Sequence, residues 1–96
     1  MYAGYFMVKL GPGMASVAQE LADRMAPIYK ASKGFNRVTF FGDYAAGEYG
    51  ILSLWASKED YEAFYRATEP QIRQVLAGMV EKPLVRKGCD VYEPKA

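Results

Sequence analysis

The chain has 96 residues, 51% hydrophobic and 15% aromatic, with twelve basic against eleven acidic side chains and a net charge of +1. That is the size of one domain, spanning 1–96, and the composition is too apolar for disorder. The charges are interspersed, so no basic stripe follows a nucleic-acid backbone, and no apolar run approaches the roughly 18 residues of a membrane span.

Residues 4–10, GYFMVKL, are aromatic and β-branched enough to predict a first strand, stopped by the turn Gly11-Pro12-Gly13. That turn lacks the spacing and the Lys-Ser/Thr pair of a phosphate loop. From Met14, the apolar positions Val17, Ala18, Leu21, Met25, Ile28 and Tyr29 follow helical spacing. Lys30 and Lys33 suit the negative end of that helix, and Gly34 supplies a left-handed residue to end it. Pro27 lies inside the run and should kink it by removing the bond to Asp23.

Residues 35–43, FNRVTFFGD, predict a second strand, YAAG at 44–47 a hairpin turn, and Glu48 to Ala56 a third strand. Ser57 with Asp60 three residues on opens a second helix, and Glu59 and Asp60 favour the positive end of its dipole. Pro70 is expected to interrupt it, with Thr68 and Gln71 starting a fresh helix to about Val80. Lys82-Pro83 breaks that helix, and residues 84–93 supply a last strand bent at Gly88.

The order is therefore βαββαβ. The right-handed crossover rule puts both helices on one face of a four-stranded antiparallel sheet, an α+β, ferredoxin-like arrangement. The other face should then alternate to polar, but it does not. Tyr5 and Met7 on the first strand, Phe41 on the second, and Leu52 and Leu54 on the third all point there. A second copy of the chain is the economical cover, so a homodimer is expected.

Histidine is absent, which removes the commonest general base, metal ligand and haem ligand. Cys89 is alone, which excludes an intramolecular disulfide and a paired-thiol metal site. Met1 to Leu10 lacks the charged start and cleavage site of a signal peptide, so the cytoplasm is the expected location. The purified protein is expected to carry no cofactor and no metal.

Trp55 shares a strand face with Ser53 and Ile51, and is either the wall of a pocket or part of the core. Tyr61, Phe64, Tyr65 and Thr68 fall at i, i+3, i+4 and i+7 and form the inward stripe of the second helix. Two phenols on such a stripe each need a hydrogen-bond partner, protein or ligand. Glu62, Arg66 and Glu69 lie on the opposite, solvated face. Arg73 borders the buried stripe, where a guanidinium can hold an enolate or phenolate oxygen.

The first strand and turn YFMVKLGPG, the segment GFNRVTFF and above all ILSLWASKEDYEAFY resemble the antibiotic biosynthesis monooxygenase family of the dimeric α/β-barrel superfamily. The resemblance implies the ferredoxin-like fold, a dimer, and a substrate held between sheet and helices. Haem-degrading relatives use an Asn, a Trp and a His at positions that read Phe6, Trp55 and Tyr65 here, so that branch is excluded. Cofactor-independent oxygenases of the family stabilise a deprotonated phenolic or anthrone-type substrate that reduces dioxygen directly. Their Trp matches Trp55 and their aromatic hydroxyl matches Tyr61, while the Asn they place before the Trp is Ile51 here. Trp55 and Tyr61 are thus the expected catalytic residues, with Ser53, Tyr65 and Arg73 binding a small aromatic substrate. A non-catalytic ligand-binding or interaction module, or an isomerase or lyase of the same superfamily, are the alternatives.

Overall fold

The computed structural model describes residues 1–77 and 85–95. Its elements are β1 (Tyr2–Lys9), α1 (Ala15–Lys30), β2 (Phe35–Asp43), β3 (Glu48–Trp55), α2 (Lys58–Leu76) and β4 (Val85–Asp90). All neighbouring strands pair antiparallel, in the order β2-β3-β1-β4. This is the expected ferredoxin-like sheet, with β1 and β3 central and β2 and β4 at the edges.

Local chemistry fixes the boundaries. The β2–β3 turn closes at Gly47, whose φ of 71° lies in the left-handed region, and whose missing Cβ leaves room for the backbone of Gly11. The Gly47 carbonyl accepts the Leu10 N–H at 2.8 Å, tying the end of β1 to this turn. Ser57 caps α2 through its side chain, which accepts the Asp60 N–H at 3.1 Å.

Several expected boundaries shift: β1 runs Tyr2–Lys9 instead of 4–10, β3 ends at Trp55 instead of Ala56, and β4 ends at Asp90 instead of residue 93. Helix α1 stops at Lys30 with Ala31 as its C-cap, ahead of Gly34; Gly34 (φ 79°) serves instead in the turn into β2. Helix α2 runs unbroken through Pro70, so no second helix starts at Thr68. The Thr68 hydroxyl does not cap anything; it donates to the Phe64 carbonyl one turn back at 2.8 Å. Tyr61, Phe64, Thr68, Ile72 and Leu76 form one continuous buried stripe, and burying it holds the helix across the lost Pro70 hydrogen bond. The expected helix end at Val80, the break at Lys82-Pro83 and the strand start at Leu84 lie outside the described residues.

The core between sheet and helices has two lobes. One gathers Phe6, Val8, Leu10, Tyr49, Ile72 and Leu76; the other is aromatic, with Tyr29, Trp55, Tyr61 and Phe64. On the opposite sheet face Tyr5, Phe41 and Leu52 are each about two-fifths exposed (38%, 42% and 43%). The apolar second face read from the sequence is present, and this chain alone leaves it open.

Candidate functional site

The aromatic lobe is built around Trp55, which has no exposed surface. Its ring lies 4.8 Å from Phe64, 6.2 Å from Tyr29 and 6.3 Å from Tyr61, with Phe35 edge-on at 6.0 Å. A buried indole N–H needs an acceptor. Ser53, two residues back on the same strand face, provides it at 2.9 Å, and its own hydroxyl reaches the Gly4 carbonyl at 3.4 Å. Trp55 and Ser53 therefore satisfy each other inside the fold.

Beside this lobe the sheet is paved with small residues. Ser53, Gly4 and Gly88 stand in register across β3, β1 and β4. A Cβ on Gly4 would run into the Tyr61 ring, and one on Gly88 into the Tyr2 ring. The missing side chains thus make the recess in which these phenols lie. Tyr61 is flanked by Tyr2 at 5.5 Å and Tyr65 at 6.2 Å. In the next row of the sheet Arg86 pairs with Phe6. Its guanidinium carbon lies 3.7 Å from the centre of the Tyr65 ring and 5.8 Å from that of Phe6, a stacked cation over aromatic faces.

Burial and this cation act against each other on the phenols. Burial pushes Tyr29 up to about 12, with Arg86 pulling it down and Tyr61 adding to the rise. Tyr61 is raised from its ordinary value by burial, again with Arg86 opposing. Both phenols therefore stay protonated at neutral pH, as hydrogen-bond donors rather than bases.

A cavity of about 470 Å³ lies toward the other end of the layer. Its walls include Phe6, Val8, Met25, Ile51, Ile72 and Leu76, and the exposed Gln19, Arg24, Gln71 and Gln74 ring its mouth. Tyr49 also belongs to its lining, and its hydroxyl is buried without a partner among the described residues. Such a group costs about 1–3 kcal/mol unless something pairs with it.

The five residues singled out from the sequence separate into three groups. Tyr61 and Tyr65 meet in the recess beneath Arg86. Trp55 and Ser53 pack as a bonded pair behind them. Arg73 stands apart on the solvent side of α2, 78% exposed and paired with Glu69. None of the five is among the residues lining the cavity. Met25, Ile28, Phe40 and Ile51 line it and also pack against the Trp55 lobe, so they separate the two. Sequence reasoning missed Arg86, hidden in an edge strand of mixed composition, and Tyr49. The available signal was alternation: Arg86 and Gly88 share a face in β4, as Tyr49, Ser53 and Trp55 do in β3.

No family model matches the chain, and no curated protein does. Solved structures do. The chain superposes on a monooxygenase from the ActVA-Orf6 gene of Streptomyces coelicolor, solved with nanaomycin D, with a TM-score of 0.79 at 15% identity, covering 99% of this chain and 90% of that one. For SnoaB, a cofactor-independent oxygenase from Streptomyces nogalater, the TM-score is 0.76 at 11% identity, covering 97% and 94%. Rv0793 from Mycobacterium tuberculosis gives 0.74 at 14% identity, covering 99% and 98%. Likeness at such identities establishes the fold alone, and that fold is shared with solved structures named as antibiotic biosynthesis monooxygenases. Among the described residues no helix is long and apolar enough to cross a membrane.

Proposed function

We propose that two copies of the chain pair through their open sheet faces, and that each takes a small aromatic molecule of the phenol, quinol or anthrone type between sheet and helices. The proposed reaction is oxygenation by dioxygen without a cofactor. The observation that carries the proposal is the apolar cavity of about 470 Å³, large enough for a two- or three-ring molecule. The fold shared with SnoaB supports the reaction class.

For an anthrone-type substrate the chemistry balances within the substrate and dioxygen. A CH₂ carbon becomes C=O, one oxygen atom enters the carbonyl, and the other leaves as water with both hydrogens of that carbon. The carbon supplies all four electrons. The protein's task is to exclude water, orient the ring and stabilise the substrate after it loses a proton. In this reading the ring lies in the cavity, and its oxygen reaches past Phe6, which borders both regions, to the Tyr61 and Tyr65 hydroxyls of the recess. Trp55 is a positioning residue, because a side chain without exposed surface reaches substrate only through Tyr61 and Phe64.

A second reading has its own support: among the described residues the cavity lining includes no carboxylate, and the chain has no histidine. A binder needs no base. Oxygen uptake with a panel of anthrones and hydroquinones separates the two. Turnover that falls at least tenfold in Tyr61→Phe supports oxygenation. Saturable binding without oxygen uptake supports the binder, and neither binding nor uptake across the panel removes both.

A further inference from the structure

The recess beneath β4 contains a cation that no carboxylate among the described residues neutralises. Arg86 is half-buried, yet no carboxylate lies within ion-pair reach of it among the described residues; the ion pairs there are Lys58–Glu62 and Arg73–Glu69, both on α2. What surrounds the guanidinium is aromatic. Tyr65 lies flat beneath it and Phe6 stands beside it, with Tyr61 and Tyr2 following over Gly4 and Gly88. Stacking uses the π face of the guanidinium and leaves its N–H edge for an acceptor. Arg86 is only partly buried, so part of its side chain is open to solvent.

The geometry points to Arg86, with the Tyr61 and Tyr65 hydroxyls, as the site that holds the ionised oxygen of a small aromatic ligand, a phenolate. This assignment extends the proposed function by naming the group that stabilises the deprotonated substrate, and it rests on that reading for the class of ligand. It also moves the role expected of Arg73, on helix α2, to a residue of strand β4. Arg73 is bound to Glu69 in solvent, where water screens it. Arg86 sits among rings that exclude water from one of its faces, where a charge acts more strongly on a neighbour. Phe6 ties the two regions together, because its ring borders the cavity and also lies beside Arg86.

The test uses 4-nitrophenol, which ionises near neutrality and is yellow only as the phenolate. At a pH just below its midpoint, adding the wild-type protein should raise the phenolate-to-phenol ratio of the bound dye by about tenfold, as expected for a nearby opposite charge. Arg86→Met, which keeps the stem packed on Tyr65, should abolish the rise. Arg86→Lys should keep its direction at reduced size, and Arg73→Gln should leave it intact. A bound dye no more ionised than the free dye overturns the assignment from the wild-type protein alone, whether or not Arg86→Met folds. A full rise in Arg86→Met, or its loss in a folded Arg73→Gln, does the same. The non-ionising analogue 4-nitroanisole keeps the cavity reading separate. If it binds while 4-nitrophenol shows no ionisation shift, the Arg86 site falls and the cavity stands. A shift without any anisole binding supports Arg86 and removes the cavity as the aromatic site.

Discussion

At the scale of single residues, the aromatic lobe owes its character to hydroxyls placed where water is scarce. Tyr29 shows the consequence for stability. It is 4% exposed, its ring is 4.4 Å from that of Phe64, and its hydroxyl is pushed up to about 12. In the unfolded chain the same hydroxyl titrates near 10. The folded state therefore holds the proton more tightly, and this contribution is fully present below pH 10. It is lost as the pH climbs from 10 through 12, because the unfolded state then binds fewer protons than the folded state. The loss amounts to roughly 2–3 kcal/mol for this one group. Urea unfolding of wild type and Tyr29→Phe at pH 8 and pH 11.5 checks it. The wild type should lose more stability than the variant between the two pH values, and equal losses would show that the Tyr29 hydroxyl is not shielded as described. Trp55 shows the opposite case, a buried polar atom whose partner lies two residues away in the same strand. That pairing was latent in the spacing of Ser53 and Trp55, but whether the indole N–H meets a ligand or a neighbour depends on rotamers that a sequence does not specify.

At the scale of elements, strand β2 begins and ends where its composition predicts, and α2 begins at its predicted cap. Alternating and capping patterns are local, so they are legible in a sequence. Pro70 misleads because it is also local, whereas the force that overrides it is not. The stripe from Tyr61 to Leu76 packs against β1, far away in sequence, as well as β3, and its burial outweighs the hydrogen bond that Pro70 cannot donate to Arg66. If so, Pro70 is a burden that the helix carries. Pro70 is exposed, and replacing it restores a main-chain donor without touching the core. Pro70→Ala should raise stability by up to about 3 kcal/mol, the usual difference between proline and alanine inside a helix. Part of that gain should be offset because the alanine chain is freer when unfolded. Chemical denaturation measures the balance; a less stable variant would mean that the proline sets a bend the packing needs.

At the scale of the whole molecule, an apolar face is legible from alternation, whereas a cavity is not. Ile51, Met25 and Phe40 look like ordinary core residues in the sequence; only their placement on three elements shows that they partition the layer between an aromatic lobe and the cavity. The open sheet face is the part of the assembly that sequence and structure describe alike. Tyr5 pairs with Leu52 across β1 and β3, and Met7 and Phe41 fold toward each other over Gly50. These rows form one apolar surface, with Leu52 and Phe41 exposed at its middle and side. Burying each large side chain is worth about 1.5–3 kcal/mol, so covering four or five of them is comparable with what a chain of this size holds in reserve. The wild type should therefore sediment with twice the mass of one chain at micromolar concentration. Leu52→Glu places a charge at the centre of the surface while leaving the helix side of the sheet untouched. Its expected effect is a shift to monomer, with the secondary structure retained or lost according to how much the fold depends on its partner. A wild type that sediments as a single chain would mean that this face tolerates water. The dimer reading would then fail at its premise, while the sites between sheet and helices would remain to be tested within one chain.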